Sequence, residues 1–182
     1  MTPSLREPVD IGTWTIEAVN LWAKRWFVLT GGMFAPGQFN PMTVSWGMFG
    51  ELWARPVAMV FVRPSRHTYG FIQNNDSFTL CAFPEEHRKA LQVCGTMSGR
   101  SGDKLSMAGL TPMASTKVSA PCYAEANLVV ECRKLYFDDI KRSHFLSPEI
   151  EDNYGGRDYH RCFIGEIVAV SSAQACGRKS EE

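Results

Sequence analysis

The chain has 182 residues, of which 45% are hydrophobic and 12% aromatic, enough for one globular domain (1–182) with a substantial core. Nineteen basic and nineteen acidic residues give a formal net charge of +0, which argues against the broad basic face that gripping nucleic-acid phosphates requires. No run reaches the roughly 18 apolar residues of a membrane span, and the opening MTPSLREPVD lacks the apolar core of a signal peptide, so the expectation is a cytoplasmic protein with neither a nucleic-acid nor a membrane partner.

In chain order, RWFVLTGG (25–32) is a β-rich run closed by two glycines, and NPMTVSW (40–46) follows a turn-rich link, so the pair predicts a hairpin with a long loop. RPVAMVFVRP (55–64) is apolar on both faces from Val57 to Val62, as for a strand covered on both sides. SRHTYGFIQNN (65–75) predicts a short helix with Ser65 as its N-cap and a stop at Asn74–Asn75. SFTLCAF (77–83) reads as a strand. PEEHRKALQVC (84–94) reads as a second helix, opened by Pro84 and two acids and ended at Gly95. NLVVECRKLYF (127–137) and RCFIGEIVAV (161–170) complete the strands. Strands outnumber helices and form no βαβ repeat, which favours a mainly β (α+β) fold, a closed or partly closed antiparallel barrel with peripheral helices.

The six cysteines (81, 94, 122, 132, 162 and 176) form no C-x-x-C pair, and no histidine pair stands at zinc spacing. They read as reduced thiols, most of them small hydrophobes beside apolar segments, and no metal site is expected.

Three stretches do not read as ordinary core. As a strand, NPMTVSW turns Met42, Val44 and Trp46 one way and Thr43, Ser45 and Gly47 the other. Its strip of small hydroxyls is covered either by water or by something polar. RPSRHTY (63–69) sets two guanidinium groups and two hydroxyls at a helix start, which is either an anion cradle or a capped helix with solvated arginines. CGTMSGRSGDKL (94–105) is a small-residue loop with two cations, able to bring backbone N–H groups to an anion or to be a surface loop. Neither the Walker spacing nor G-x-G-x-x-G occurs. Together the three describe a place for a flat heteroaromatic ring with a phosphate tail, the shape of FMN.

The order N-x-M-T-V-S-W, RPSRHTY, CGTMSGRSGDK-L-x-x-AGLTP and FIGEIV resembles the flavin reductase-like FMN-binding family, which includes flavoredoxins, from about Trp26 to Val170. The segment from Asp138 to Ile167 is similar to a subgroup with a longer insertion before the last core strand. The resemblance implies a Greek-key split β-barrel of about six strands, usually a homodimer with its flavin near the subunit interface. It also implies that Asn40, Met42, Thr43, Val44, Ser45 and Trp46 line the isoalloxazine and ribityl. Arg63, Ser65, Arg66 and Thr68 would serve the phosphate, and Ser98, Gly99, Arg100 and Lys104 would close over the flavin. His160 matches a position near the ring.

Lys104 and His160 are the candidates for tuning the chemistry: Lys104 as a cation at the N1–C2=O edge of the ring, Arg100 rather on the phosphate. His160 has the alternative of a strand-rim histidine satisfied by backbone. His67, His87 and His144 read as surface residues, and Tyr69, Phe71 and Phe78 as core. FMN is expected over FAD, since two cationic cradles suit a terminal phosphate. Two functions follow. One is an oxidoreductase, a flavin reductase in which NAD(P)H electrons pass through FMN to an acceptor. The other is a flavoredoxin-like carrier that holds FMN tightly and exchanges electrons with protein partners.

Overall fold

A computed structural model describes residues 5–173 of the chain; Cys176 lies outside them. The main sheet takes the order β3–β2–β6–β9–β10–β5–β4, with β1 added beside β10. Its strands are β1 (Glu7–Pro8), β2 (Phe27–Gly32), β3 (Phe39–Val44), β4 (Gly47–Leu52), β5 (Arg55–Val62), β6 (Ser77–Ala82), β9 (Leu128–Asp139) and β10 (Arg161–Ser172). A small separate pair joins β7 (Pro112–Met113) to β8 (Cys122–Tyr123). All these pairings are antiparallel. The sheet curls until β3 meets β5, so it is a partly closed barrel.

Strand alternation divides the core in two. Phe27 and Leu29 of β2 point into the barrel with Val60, Val62, Phe78, Leu80 and Phe163. Val28 points outward, onto Cys81, Leu91, Cys94 and Val129. The outer cluster lies beneath α3 (Arg88–Thr96), whose Ala90, Leu91 and Cys94 are buried on one face at helical spacing. The other helices are α1 (Ala18–Asn20), α2 (His67–Asn74) and α4 (Lys104–Ala108). Among the described residues no helix is long and apolar enough to cross a membrane.

All six predicted strands are present, and the hairpin pairs β2 with β3 from Phe27↔Val44 to Gly32↔Phe39. Four local expectations are corrected. The second strand stops at Val44, so Trp46 does not share the buried face of Met42 and Val44 but stands 44% exposed. β5 is not sealed on both sides: Ala58, Val60 and Val62 are buried while Met59 and Phe61 are half-buried. The N-cap of α2 is Arg66, without a side-chain bond, and Ser65 lies one residue outside. The helix expected over 84–94 is α3, which starts at Arg88 and runs to Thr96, past Gly95.

The short strands β1, β7 and β8, the strand β4 and the helices α1 and α4 were not predicted. Apart from Gly47 and Phe49, which are half-buried, β4 is an exposed edge strand, so its sequence carries little of the buried-strand signal.

Gly165 lies at a register shift of β10, where a Cβ would fall 2.7 Å from the Phe78 ring and 2.9 Å from Cys132 Cβ. Gly165→Ala should therefore destabilise the fold by about 1–3 kcal/mol through overpacking. The denaturation midpoint should fall at unchanged m value; an unaltered midpoint would contradict this packing.

Candidate functional site

Strand β3, the start of α2 and the loop before α4 converge on one cleft. Its first cavity, about 420 Å³, is lined by Asn40, Met42, Arg63, Ser65, Arg66 and Thr68 from one side. Ser98, Gly99 and Lys104 line it from the other. A second cavity of about 250 Å³ adjoins it across Met42, Arg63 and Arg66, and continues along Thr43, Val44, Ser45, Trp46 and His160. Fourteen of the fifteen sequence-chosen positions are thus brought together; Arg100 lines neither cavity.

Local folding explains these positions. The Asp103 carboxylate caps α4 by accepting from the Ser106 N–H at 3.1 Å, which makes Lys104 the first helical residue. Lys104 turns inward and is only 5% exposed. Its Nζ donates to the carbonyls of Pro41 at 3.0 Å and Cys94 at 3.3 Å. Burial lowers its pKa from the ordinary lysine value, with Arg66 adding in the same direction and Cys94 opposing. Gly99 leaves room for Asn40: a Cβ there would lie only 2.0 Å from Asn40 Oδ1 and would push that side chain off its bonds to Pro41 and Thr68.

Among the described residues the ion pairs are Arg55–Glu166, Arg142–Glu151 and Arg161–Asp139, so Arg63, Arg66, Arg100 and Lys104 have no carboxylate within ion-pair distance. Cations gathered in a cleft without a counter-anion suit an anionic ligand.

Several side chains are committed elsewhere. The Thr43 hydroxyl donates to the Leu91 carbonyl at 2.5 Å, tying β3 to α3 instead of facing the cavity as a free donor. Thr68 Oγ1 is buried and accepts from Asn40 Nδ2 at 2.7 Å. Arg63 donates to the Asn153 carbonyl at 2.6 Å, and both donors of Ser65 meet Asp158. Lys104, expected at the ring edge, lines the first cavity and not the second, which holds His160, while Arg63 and Arg66 line both.

His160 is 9% exposed, with its ring 5.0 Å from that of Trp46. Its Nδ1 is 3.0 Å from the Tyr154 hydroxyl, so a side chain rather than backbone satisfies it. Burial, with Arg63 adding to it, pushes its pKa down to about 4. At neutral pH it is an uncharged imidazole.

His67, read as a surface residue, in fact lines the first cavity, and Phe61 lines the second. The RPSRHTY motif contained the signal for His67. Tyr154 and Asp158 had none, because they reach the cleft from a distant insertion.

The protein-family model described as "Flavin reductase like domain" matches residues 23–178. An uncharacterised protein of Archaeoglobus fulgidus is 26% identical over 163 residues, spanning 87% of this chain and 80% of its own. Among solved structures, an FMN-binding domain of a flavin reductases-like enzyme from Shewanella baltica OS155 superposes with a TM-score of 0.68 at 15% identity, covering 100% of this chain and 84% of that one. Flavoredoxin of Desulfovibrio vulgaris (Miyazaki F) gives 0.65 at 22% identity, covering 94% and 79%. These likenesses carry the fold.

The His160 shift has a pH consequence. Its folded pKa of about 4 lies below the ordinary 6.5, so between these values the unfolded chain binds the extra proton. Stability is full above about 6.5 and is lost as pH falls toward about 4. The Tm of the flavin-free protein should drop across that window, and His160→Gln should flatten this limb. Parallel curves for the two proteins would contradict the assignment.

Proposed function

The chain belongs to the flavin reductase-like domain family, and from that membership together with the cleft geometry we propose that it is an FMN-dependent oxidoreductase. In this reading electrons from NAD(P)H pass through FMN to a small-molecule or protein acceptor. The observation that carries it is the set of cations without counter-anions in a cleft whose second cavity is bounded by Trp46 and His160.

When bound, FMN supplies the redox chemistry, accepting a hydride and releasing electrons singly or in pairs. The chain's own residues bind, orient and tune. Arg66 and Lys104 neutralise the phosphate end beside Ser98 and the open backbone at Gly99. FMN is favoured over FAD because this cavity is suited to a terminal phosphate. Trp46 and His160, which line the second cavity, would face the ring. Neutral His160 offers a hydrogen bond there and no charge, its Nδ1 being engaged by Tyr154. Lys104 thus belongs with the phosphate end in this reading, not with the ring edge.

The flavoredoxin-like carrier is the second reading, supported by the likeness to a protein of that name. Stopped-flow mixing of the flavin-loaded protein with NADH and with NADPH separates the two: rapid bleaching supports the reductase, and none with either nucleotide supports the carrier.

The proposal extends to assembly as a homodimer. An apolar hollow containing Val19, Met48 and Phe49 adjoins the second cavity through Ser45, Trp46 and Phe61. Val19 is 82% and Met48 51% exposed, more apolar surface than single scattered residues would leave. A second copy covering this face would close the ring end of the site. Light scattering should give a dimer at micromolar concentration, with Met48→Glu shifting it toward monomer. A monomeric wild-type protein with flavin bound would refute this.

Purified protein should be yellow or take up added FMN; failure to bind FMN or FAD would remove the reading. Arg66→Ala should weaken FMN roughly tenfold to a hundredfold and barely alter riboflavin binding, since a hydrogen bond to a charged group contributes about 1.5–3 kcal/mol. Lys104→Met should discriminate in the same way. Normal FMN affinity with a lowered midpoint potential would instead return Lys104 to the ring.

A further inference from the structure

Ser65 and Asp158 are 93 residues apart in the chain and meet at the rim of the cavity. The Ser65 backbone N–H donates to Asp158 Oδ1 at 3.0 Å, and the Ser65 hydroxyl donates to Oδ2 at 2.6 Å. Each carboxylate oxygen therefore takes one donor, as two oxygens of a phosphate would. Among the described residues Asp158 has no cation within ion-pair distance, and Ser65 supplies both of its hydrogen bonds. This is an anion placed on two donors of a cationic cleft, not a member of a structural ion pair.

The backbone around Asp158 is built for the placement. Asp158 holds a φ of 56°, in the left-handed region that aspartate and asparagine tolerate better than most side chains. Gly155 and Gly156 precede it at φ 59° and 82°. The segment is also held by Arg63 on the Asn153 carbonyl and by the Gly156 N–H on Glu151 Oε1 at 2.7 Å. Arg63 and Ser65, two side chains of the expected phosphate cradle, are thus both engaged by this one insertion.

We propose that Asp158 is an internal competitor for the phosphate end of the site, one that keeps FMN exchangeable rather than permanently held. The proposal rests on the flavin-binding reading above. Asp158 must turn away from Ser65 before a flavin phosphate can take the same donors, and while it remains it adds like-charge repulsion at contact range. Riboflavin has no phosphate and meets neither obstacle. The Asp158 carboxylate therefore lowers affinity for the phosphorylated flavin selectively, which suits a flavin used as a substrate that comes and goes.

The test compares wild type, Asp158→Asn and Asp158→Gly, each titrated with FMN and with riboflavin by fluorescence quenching, with FMN release followed after stopped-flow dilution. Asparagine removes the charge and tolerates the backbone angle; glycine removes the side chain and tolerates it as well. The ratio of FMN to riboflavin affinity should rise about tenfold in Asp158→Asn, with FMN release slowed in step and riboflavin nearly unaffected. Should the asparagine variant fail to fold, the glycine variant must show the same rise. A ratio that stays level or falls, in a protein whose wild type binds FMN, overturns this inference alone. A wild type that binds neither flavin overturns the flavin reading and this inference together.

Discussion

One carbonyl holds the cleft together. Pro41 lies on β3, at the end of the strand order, so part of its backbone is not consumed by a neighbouring ladder. Its oxygen accepts from Lys104 Nζ at 3.0 Å, from Asn40 Nδ2 at 3.0 Å and from Thr68 Oγ1 at 3.4 Å. Those groups come from α4, β3 and α2, the elements that form the walls. A proline is tolerated there because an edge position does not demand its missing N–H. A buried ammonium without a carboxylate is costly unless its protons find acceptors. The Pro41 and Cys94 carbonyls supply them and leave the positive charge uncancelled.

That uncancelled charge gives the cleft its character. The whole chain is neutral, with nineteen charges of each sign, yet the lining of the first cavity includes Arg63, Arg66 and Lys104 and no acid. The acids are spent elsewhere: Asp139 on Arg161, Glu166 on Arg55, and Glu131 in accepting the N–H groups of Thr116 and Lys117. Asp158 is the acid that approaches, and it does so through Ser65 rather than through an arginine. Burial supplies the complementary effect at the other end, where His160 stays neutral beside Trp46.

The barrel was legible because its core strands are short β-rich runs bounded by turn residues, as in FVLTGG and SFTLCA, every residue of which is buried. The Gly47–Leu52 strand was not legible, since a largely exposed edge strand needs no such pattern. RPSRHTY announced a polar site, but Ser65 in it resembled an N-cap because serine beside a helix start is the commonest local use of that hydroxyl. Its actual partner lies 93 residues away, beyond the reach of any local pattern. The acceptor of the Thr43 hydroxyl was illegible for the same reason: it is a carbonyl on α3, and nothing in MTVSW refers to that helix.

The sequence by itself determined six of the strands, the presence of two helices, and which short motifs carry hydroxyls, glycines and cations, because these depend on apolar patterning and on neighbours a few residues away. It also placed those motifs in an order that resembles one family. Tertiary structure alone decided which hydroxyls remain free, which cation lies in which cavity, and that a carboxylate from the insertion rests on Ser65. Those outcomes are long-range pairings between surfaces that meet only when the sheet curls, and a hydrogen bond depends on ångström distances that no linear spacing encodes.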